Sequence, residues 1–366
     1  MQGAEAVADP VLFETRPAGG GLAVGFARLN RPRQLNALTL EMCELLFAQL
    51  RTWASDAGVA AVVLEGAGER GFCAGGDVAA VIREVRSGGP QRFVYGDAFF
   101  ETEYRLDYLI HSYPKPLVSF AHGLCMGGGV GLSVGASHRI VGDRSRIAMP
   151  EIHIGMFPDV GGGFFLNRVP GGAGVLMALT GMHINEADAL FAGLADYFIP
   201  DECRADFVAR LLELPWQGEE RADRAQLTRL CLAQHRRYRT ALPESNLRQY
   251  YDAIRFIASQ PDVAGIRDAL LAAADEDDYF RVPADNLANG SPTAAHVSFE
   301  YLRRSRRLSL AEVLALDLVL ATRLMRGHDF IEGVRALLID KDRAPSWSPT
   351  GFEAVDQATI DWHFSP

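Results

Sequence analysis

The chain has 366 residues, 48% hydrophobic and 22% charged, an ordinary balance for a globular protein able to bury a large core. Its formal net charge of −10 argues against a general binder of nucleic acid or of anionic membranes, and no apolar run reaches the roughly 18–20 residues a membrane span requires. The five cysteines show no CxxC pair and no metal-ligand spacing, which suits a reducing compartment, and the opening MQGAEAVADPVLFE has neither a basic and apolar signal segment nor an Arg-rich transit pattern, so a cytoplasmic location is expected.

Residues Val11 to Leu29 alternate about a Gly19–Gly21 turn and predict a hairpin. Thr39 can cap a helix whose apolar positions Leu40, Met42, Cys43, Leu46, Leu50 and Trp53 fall at helical spacing. Ala60 to Glu65 reads as a buried strand, the following glycine-rich loop turns helical from about Asp77, and Tyr95 to Ser112 is amphipathic. Pro114 and Pro116 end that helix, and Leu117 to Ala121 is a strand. Further on come a short strand at His138 to Val141, helical segments at Phe164 to Leu166 and Val175 to Leu179, a helix capped by Asn185 and stopped by Gly193, and a strand at Asp196 to Ile199. Alternating strands and helices imply a layered α/β core over residues 1–200. From about Asp201 nearly every signal is helical, so residues 201–366 are expected to form an all-helical region packed on that core.

The stretch from His122 to Gly163 carries the chemistry. The Gly127–Gly129 triplet precedes an apolar helical segment, Gly161–Gly163 closes the stretch, and Glu151 and Asp159 stand eight residues apart between them. Glycines let backbone approach a ligand, and a helix that starts on them presents free N–H groups and a positive dipole end. Such a place can hold a developing anion beside a carboxylate base or nucleophile.

Taken in order, LNRPRQLNALTLEM, GFCAGGD, HGLCMGGGVGLSV, AMPEIHIGMFPDVGGG, SPTA and RGHDFIEGVRALLIDKDRAPSW span nearly the whole chain. This set resembles the crotonase (enoyl-CoA hydratase/isomerase) superfamily, and within it looks most like the 3-hydroxyisobutyryl-CoA hydrolases. The resemblance implies a spiral of ββα units and hydrolysis of 3-hydroxyisobutyryl-CoA or 3-hydroxypropionyl-CoA, as in valine catabolism. It implies oxyanion donors at the amides of Gly76 and Gly128, with catalytic carboxylates at Glu151 and Asp159. Asp159 would bind the substrate hydroxyl. Contacts to substrate or coenzyme A are expected from Arg33, Ala74, Gly75, Asp77, Gly127 and Lys341. No metal and no cofactor beyond the substrate's own coenzyme A are expected, and the resemblance leaves monomer and homo-oligomer open.

One departure from the hydratase pattern matters: Gly131 stands where hydratases carry the first of two glutamates, which argues against hydration of a double bond. Hydratase or isomerase activity and a non-catalytic CoA-binding scaffold are the alternatives. A further rival rests on Gly131-Leu132-Ser133-Val134-Gly135, which fits the G-x-S-x-G nucleophile elbow, but Ser133 falls inside the expected helix instead of at its entry turn. His122 reads as a hydrogen-bonded core histidine, His153 has no assigned role, and Cys73 and Cys125 read as small apolar residues.

Overall fold

The computed structural model describes residues 9–365; the first eight residues, on which part of the reading of the N-terminus rests, lie outside it. Strands β1 (Val11–Pro17) and β2 (Ala23–Leu29) form the expected hairpin around Gly19–Gly21, where Gly20 and Gly21 take φ of 70° and 73°. Beyond them lie β3 (Val59–Gly66), β4 (Gly71–Cys73), β5 (Leu117–Ala121), β6 (Leu124–Met126), β7 (His138–Val141), β8 (Arg146–Ala148) and β9 (Tyr197–Phe198). A six-stranded sheet runs β1-β2-β3-β5-β7-β9, parallel from β2 onward, and a smaller parallel sheet runs β4-β6-β8. From β3 to β8 successive strands alternate between the two sheets, so the chain winds as a spiral and each turn delivers one strand to each layer.

The sequence reading had no strand at β4, β6 or β8. Each has three residues, too few for a period-two pattern to register, and the β4–β6 pairing is irregular between Gly71 and Cys73. They stack the loops that follow them, and those loops build the site.

Four helices of the spiral frame the site. Helix α1 (Leu40–Ser55) starts where Thr39 accepts the Met42 N–H, and α2 (Val78–Ser87) starts on Asp77, whose side chain accepts the Ala80 N–H. Helix α3 (Val94–His111) packs on α1, and the seven-residue α4 (Gly128–Val134) is buried throughout. Ser133 lies in the last turn of α4 with its hydroxyl 3.1 Å from that of Ser119, so no exposed nucleophile elbow forms.

Beyond residue 200 the chain is helical, with α5 (Pro292–Ser305), α6 (Leu310–Arg326) and α7 (Asp329–Val334) reaching the spiral core. Core side chains from both parts join one continuous cluster, which runs from Val11 to Phe352. Among the described residues no helix is long and apolar enough to cross a membrane.

The segment after α6 is tied down closely. Ser291, which caps α5, donates its hydroxyl to Asp329 Oδ2 (2.5 Å), and the Ser348 N–H donates to Asp329 Oδ1 (2.8 Å). Phe330 is fully buried against Phe100, with ring centroids 6.4 Å apart. The chain then widens into a π-helical turn at Arg335–Ile339, the kind of local widening often found at functional sites. Ending the chain before Arg326 would strip Phe330, Val334 and Ala336 from the core. Such a truncation is expected to be aggregated or inactive, as size-exclusion chromatography and an activity assay would show; a soluble, fully active truncation would contradict this packing.

Candidate active site

Two loops meet at the mouth of the smaller sheet. The first follows β4 and carries Ala74, Gly75 and Gly76; the second follows β6 and carries Gly127 and Gly128. Gly75 has φ +99°, and a Cβ there would stand 3.6 Å from the Gly128 nitrogen, so the two backbones lie side by side. The flanking amides are used, Gly127 N–H by Ala148 O (3.2 Å) and Asp77 N–H by Leu38 O (2.7 Å). Among the described residues, those of Gly76 and Gly128 have no backbone acceptor. They are the pair expected from the sequence to hold an oxyanion.

Both loops line a cavity of about 250 Å³, together with Glu103, Glu151, Asp159, Leu337 and Leu338. Glu151 opens a short turn, Glu151–Ile154, that ends on left-handed Gly155. Any side chain at Gly127 would press on its carboxylate, since a Cβ there would sit 2.7 Å from Glu151 Oε1. Asp159 lies farther along the same stretch and accepts the Tyr104 hydroxyl on Oδ2 (2.7 Å). Glu151 and Asp159 line this cavity and are each only 6% exposed.

Glu103 was not singled out from the sequence. It comes from α3 and lies directly beneath Gly128, whose position a Cβ could not share with Glu103 Oε1. One turn on, Asp107 is fully buried, and neither of its oxygens finds a hydrogen-bond partner among the described residues. A signal existed: Phe99, Phe100, Glu103, Tyr104, Leu106, Asp107 and Ile110 all lie on the buried side of α3, so two carboxylates interrupt an apolar stripe.

Burial dominates the electrostatics. It drives the Glu151 carboxyl well above the usual range, with the Asp159 charge adding to the effect. Burial and the Asp159 charge likewise raise Glu103. Asp159 is pushed up by burial to about 6, opposed by the hydrogen bond from Tyr104. Burial thus favours the protonated form of each of these carboxyls.

Other expected contacts are not in the cavity wall. Asp77 is occupied in capping α2 and in an ion pair with Arg31 (3.1 Å). Arg33 sits exposed on the short turn Pro32–Gln34, and Lys341 is exposed just after the π-helical turn; neither borders the site. A larger cavity of about 720 Å³ shares His153, Leu337 and Leu338 with the first and is bordered by Arg343. His153 therefore lies in both walls. His122 is a core histidine, its Nε2 2.8 Å from Gly68 O.

A spiral of ββα units with paired amides facing buried carboxylates is the framework of enzymes acting on coenzyme A thioesters, and the sequence profile of the enoyl-CoA hydratase/isomerase family matches residues 24–364. The chain belongs to that family. It is 38% identical over 341 residues to the mitochondrial 3-hydroxyisobutyryl-CoA hydrolase of Danio rerio, covering 93% of this chain and 87% of the relative. Identity to the Homo sapiens protein of the same name is 35% over 358 residues, 98% of this chain and 89% of that one. Among solved structures, an enoyl-CoA hydratase from Rhodobacter sphaeroides 2.4.1 superposes with a TM-score of 0.85 at 37% identity, over 98% of each chain. A carnitinyl-CoA dehydratase from Mycobacterium thermoresistibile gives 0.85 at 35%, over 98% of this chain and 97% of that one. The relatives correct one expectation: they are mitochondrial proteins by name, which overturns the cytoplasmic location inferred from the N-terminal composition.

The raised Asp159 sets a stability prediction. A carboxyl whose folded pKa exceeds its unfolded value stabilises the fold below the unfolded pKa, and that contribution is lost as pH rises through the folded value, here from 3.8 through about 6. Asp159→Asn keeps an acceptor for Tyr104 and cannot ionise. It should therefore raise stability at pH 8 by up to about 3 kcal/mol, with the gain shrinking toward pH 4. Urea unfolding across that range checks it; a variant less stable than wild type at pH 8 would contradict the direction.

Proposed function

We propose that this protein hydrolyses the thioester of 3-hydroxyisobutyryl-CoA, releasing the hydroxy acid and coenzyme A, with 3-hydroxypropionyl-CoA as a second substrate differing by one methyl. The observation that carries this reading is the closure of position 131. A Cβ on Gly131 would stand 2.7 Å from Val160 Cβ and 3.0 Å from Asp107 Oδ1, so the place of a first hydratase glutamate is filled. With Glu151 and Asp159 retained, the remaining chemistry is attack on the thioester carbon.

In this mechanism the thioester oxygen lies between the Gly76 and Gly128 amides. Each such donor is typically worth roughly 3 kcal/mol of barrier when negative charge develops on that oxygen. Glu151 delivers the attack. It either bonds to the carbonyl carbon, expelling the thiolate and leaving an anhydride that water opens, or takes a proton from a water that attacks in its place. Both routes need Glu151 ionised at the moment of attack, and both consume one water and protonate the departing sulfur. Asp159, held by Tyr104, accepts the substrate 3-hydroxyl. The larger cavity beyond Leu337 and Leu338 would take the coenzyme, with Arg343 and the nearby Lys341 supplying positive charge for its phosphates.

A thiol-release assay tests the reading. Coenzyme A should be released from 3-hydroxyisobutyryl-CoA, while crotonyl-CoA should be hydrated slowly or not at all; fast hydration without thiol release would sink the hydrolase assignment. Glu151→Gln should lower kcat by at least roughly 10²-fold, the scale for removing a catalytic base, whereas Ser133→Ala should keep most activity. The reverse pattern would favour a serine nucleophile.

A further inference from the structure

Asp159 sits at the start of a backbone turn that no local rule would favour. Val160 has φ +51°, a left-handed conformation rare for a β-branched residue, and Gly161 follows at φ +83°. Such a conformation persists only where the surroundings over-determine it. Here the surroundings come from the helical C-terminal region, more than 130 residues away in sequence. The Gly161 N–H donates to Asp317 Oδ2 on α6 (2.7 Å), and the Gly163 N–H donates to the Tyr301 hydroxyl oxygen on α5 (2.7 Å). Both side chains are fully buried, and the Tyr301 ring packs edge-on against Phe157, two residues before Asp159, with centroids 4.9 Å apart. From its other side, Tyr104 of α3 holds the Asp159 carboxylate itself.

We propose that Asp317 and Tyr301 are positioning residues that fix the turn at 159–163 and thereby set how sharply the enzyme distinguishes a 3-hydroxyacyl thioester from its 3-deoxy counterpart. The proposal rests on the assignment of Asp159 as acceptor of the substrate hydroxyl. Neither side chain lines the catalytic cavity. Their effect passes through the backbone: with Gly161 and Gly163 released, the strained Val160 can relax and carry Asp159 away from the hydroxyl. The oxyanion amides and Glu151 come from other loops, so hydrolysis as such would continue. The helical region then contributes to specificity as well as to packing, which explains why a buried carboxylate and a buried phenol stand where two apolar side chains would pack more cheaply.

The test is the ratio of kcat/KM for 3-hydroxyisobutyryl-CoA over isobutyryl-CoA in the full-length protein. Tyr301→Phe keeps the ring against Phe157 and removes the acceptor for Gly163. Asp317→Ala removes the acceptor for Gly161, while Asp317→Asn keeps one. Loss of a single hydrogen bond to the turn should lower the ratio by about threefold to tenfold in Tyr301→Phe and Asp317→Ala, and Asp317→Asn should stay within about twofold of wild type. A structural brace with no bearing on specificity would lower activity toward both thioesters together and leave the ratio unchanged; that result overturns the proposal. If Asp317→Ala fails to fold, Tyr301→Phe decides alone. Asp159→Gly serves as reference. If it lowers the ratio while Tyr301→Phe and Asp317→Ala do not, the positioning role fails; if it keeps the wild-type ratio, the assignment of Asp159 itself fails and the proposal with it.

Discussion

Five carboxyl groups, Glu103, Asp107, Glu151, Asp159 and Asp317, are buried in one part of the core, three of them (Glu103, Glu151 and Asp159) lining the small cavity, and among the described residues none is paired with a cation. Like charges brought together without cations repel more strongly in a low-dielectric interior than in water, so ionising the whole set together is disfavoured. Other features of the site follow from this constraint. Burial favours the protonated form of these carboxyls, the hydroxyl of Tyr104 and the amide of Gly161 are turned toward two of them, and the amides of Gly76 and Gly128 have no backbone acceptor among the described residues and so can meet the one further negative charge that catalysis creates.

That crowding suits thioester hydrolysis. A carboxylate stripped of water and of cations is a strong base once ionised, because burial raises its pKa. The cost falls on the fold, because Asp159 ionises in a place that disfavours it. Stability is given up at the catalytic centre and recovered in the continuous core that joins the spiral to the C-terminal helices. Gly131 belongs to the same balance: Asp107 and Val160 fill the space beside it, so a sixth carboxylate there would have neither room nor a counter-charge.

Much of this was legible in the sequence where the determining interactions are local. Thr39, Asp77 and Asn185 each mark a helix start, because a cap bonds to an amide two or three residues away. The glycine loops and Glu151 and Asp159 were legible as an ordered set of motifs, and all of them line the cavity. What the sequence hid is non-local. The three-residue strands exist only because loops stack on one another. Glu103 and Asp107 look like ordinary helix charges until α4 covers them. Asp317 and Tyr301 act on a turn on the far side of the chain, which no periodicity reports. Arg33, Asp77 and Lys341, grouped with the substrate by motif, do not border the small cavity: Arg33 and Lys341 are exposed and Asp77 caps α2. The location inferred from N-terminal composition was overturned by relatives, since composition is a weak guide to an address read by other proteins.

Burial of the site's carboxyls without cations holds their protons beyond the pH at which exposed carboxyls lose theirs. Infrared difference spectroscopy of the substrate-free protein, titrated from acid to alkaline pH, tests it most directly. Protonated carboxyl groups have a C=O stretch distinct from the carboxylate bands. The account predicts that part of this band persists at pH 7, is lost only on the alkaline side, and is reduced in Glu151→Gln. A band that vanishes completely below pH 5, as for ordinary exposed carboxyls, would contradict it.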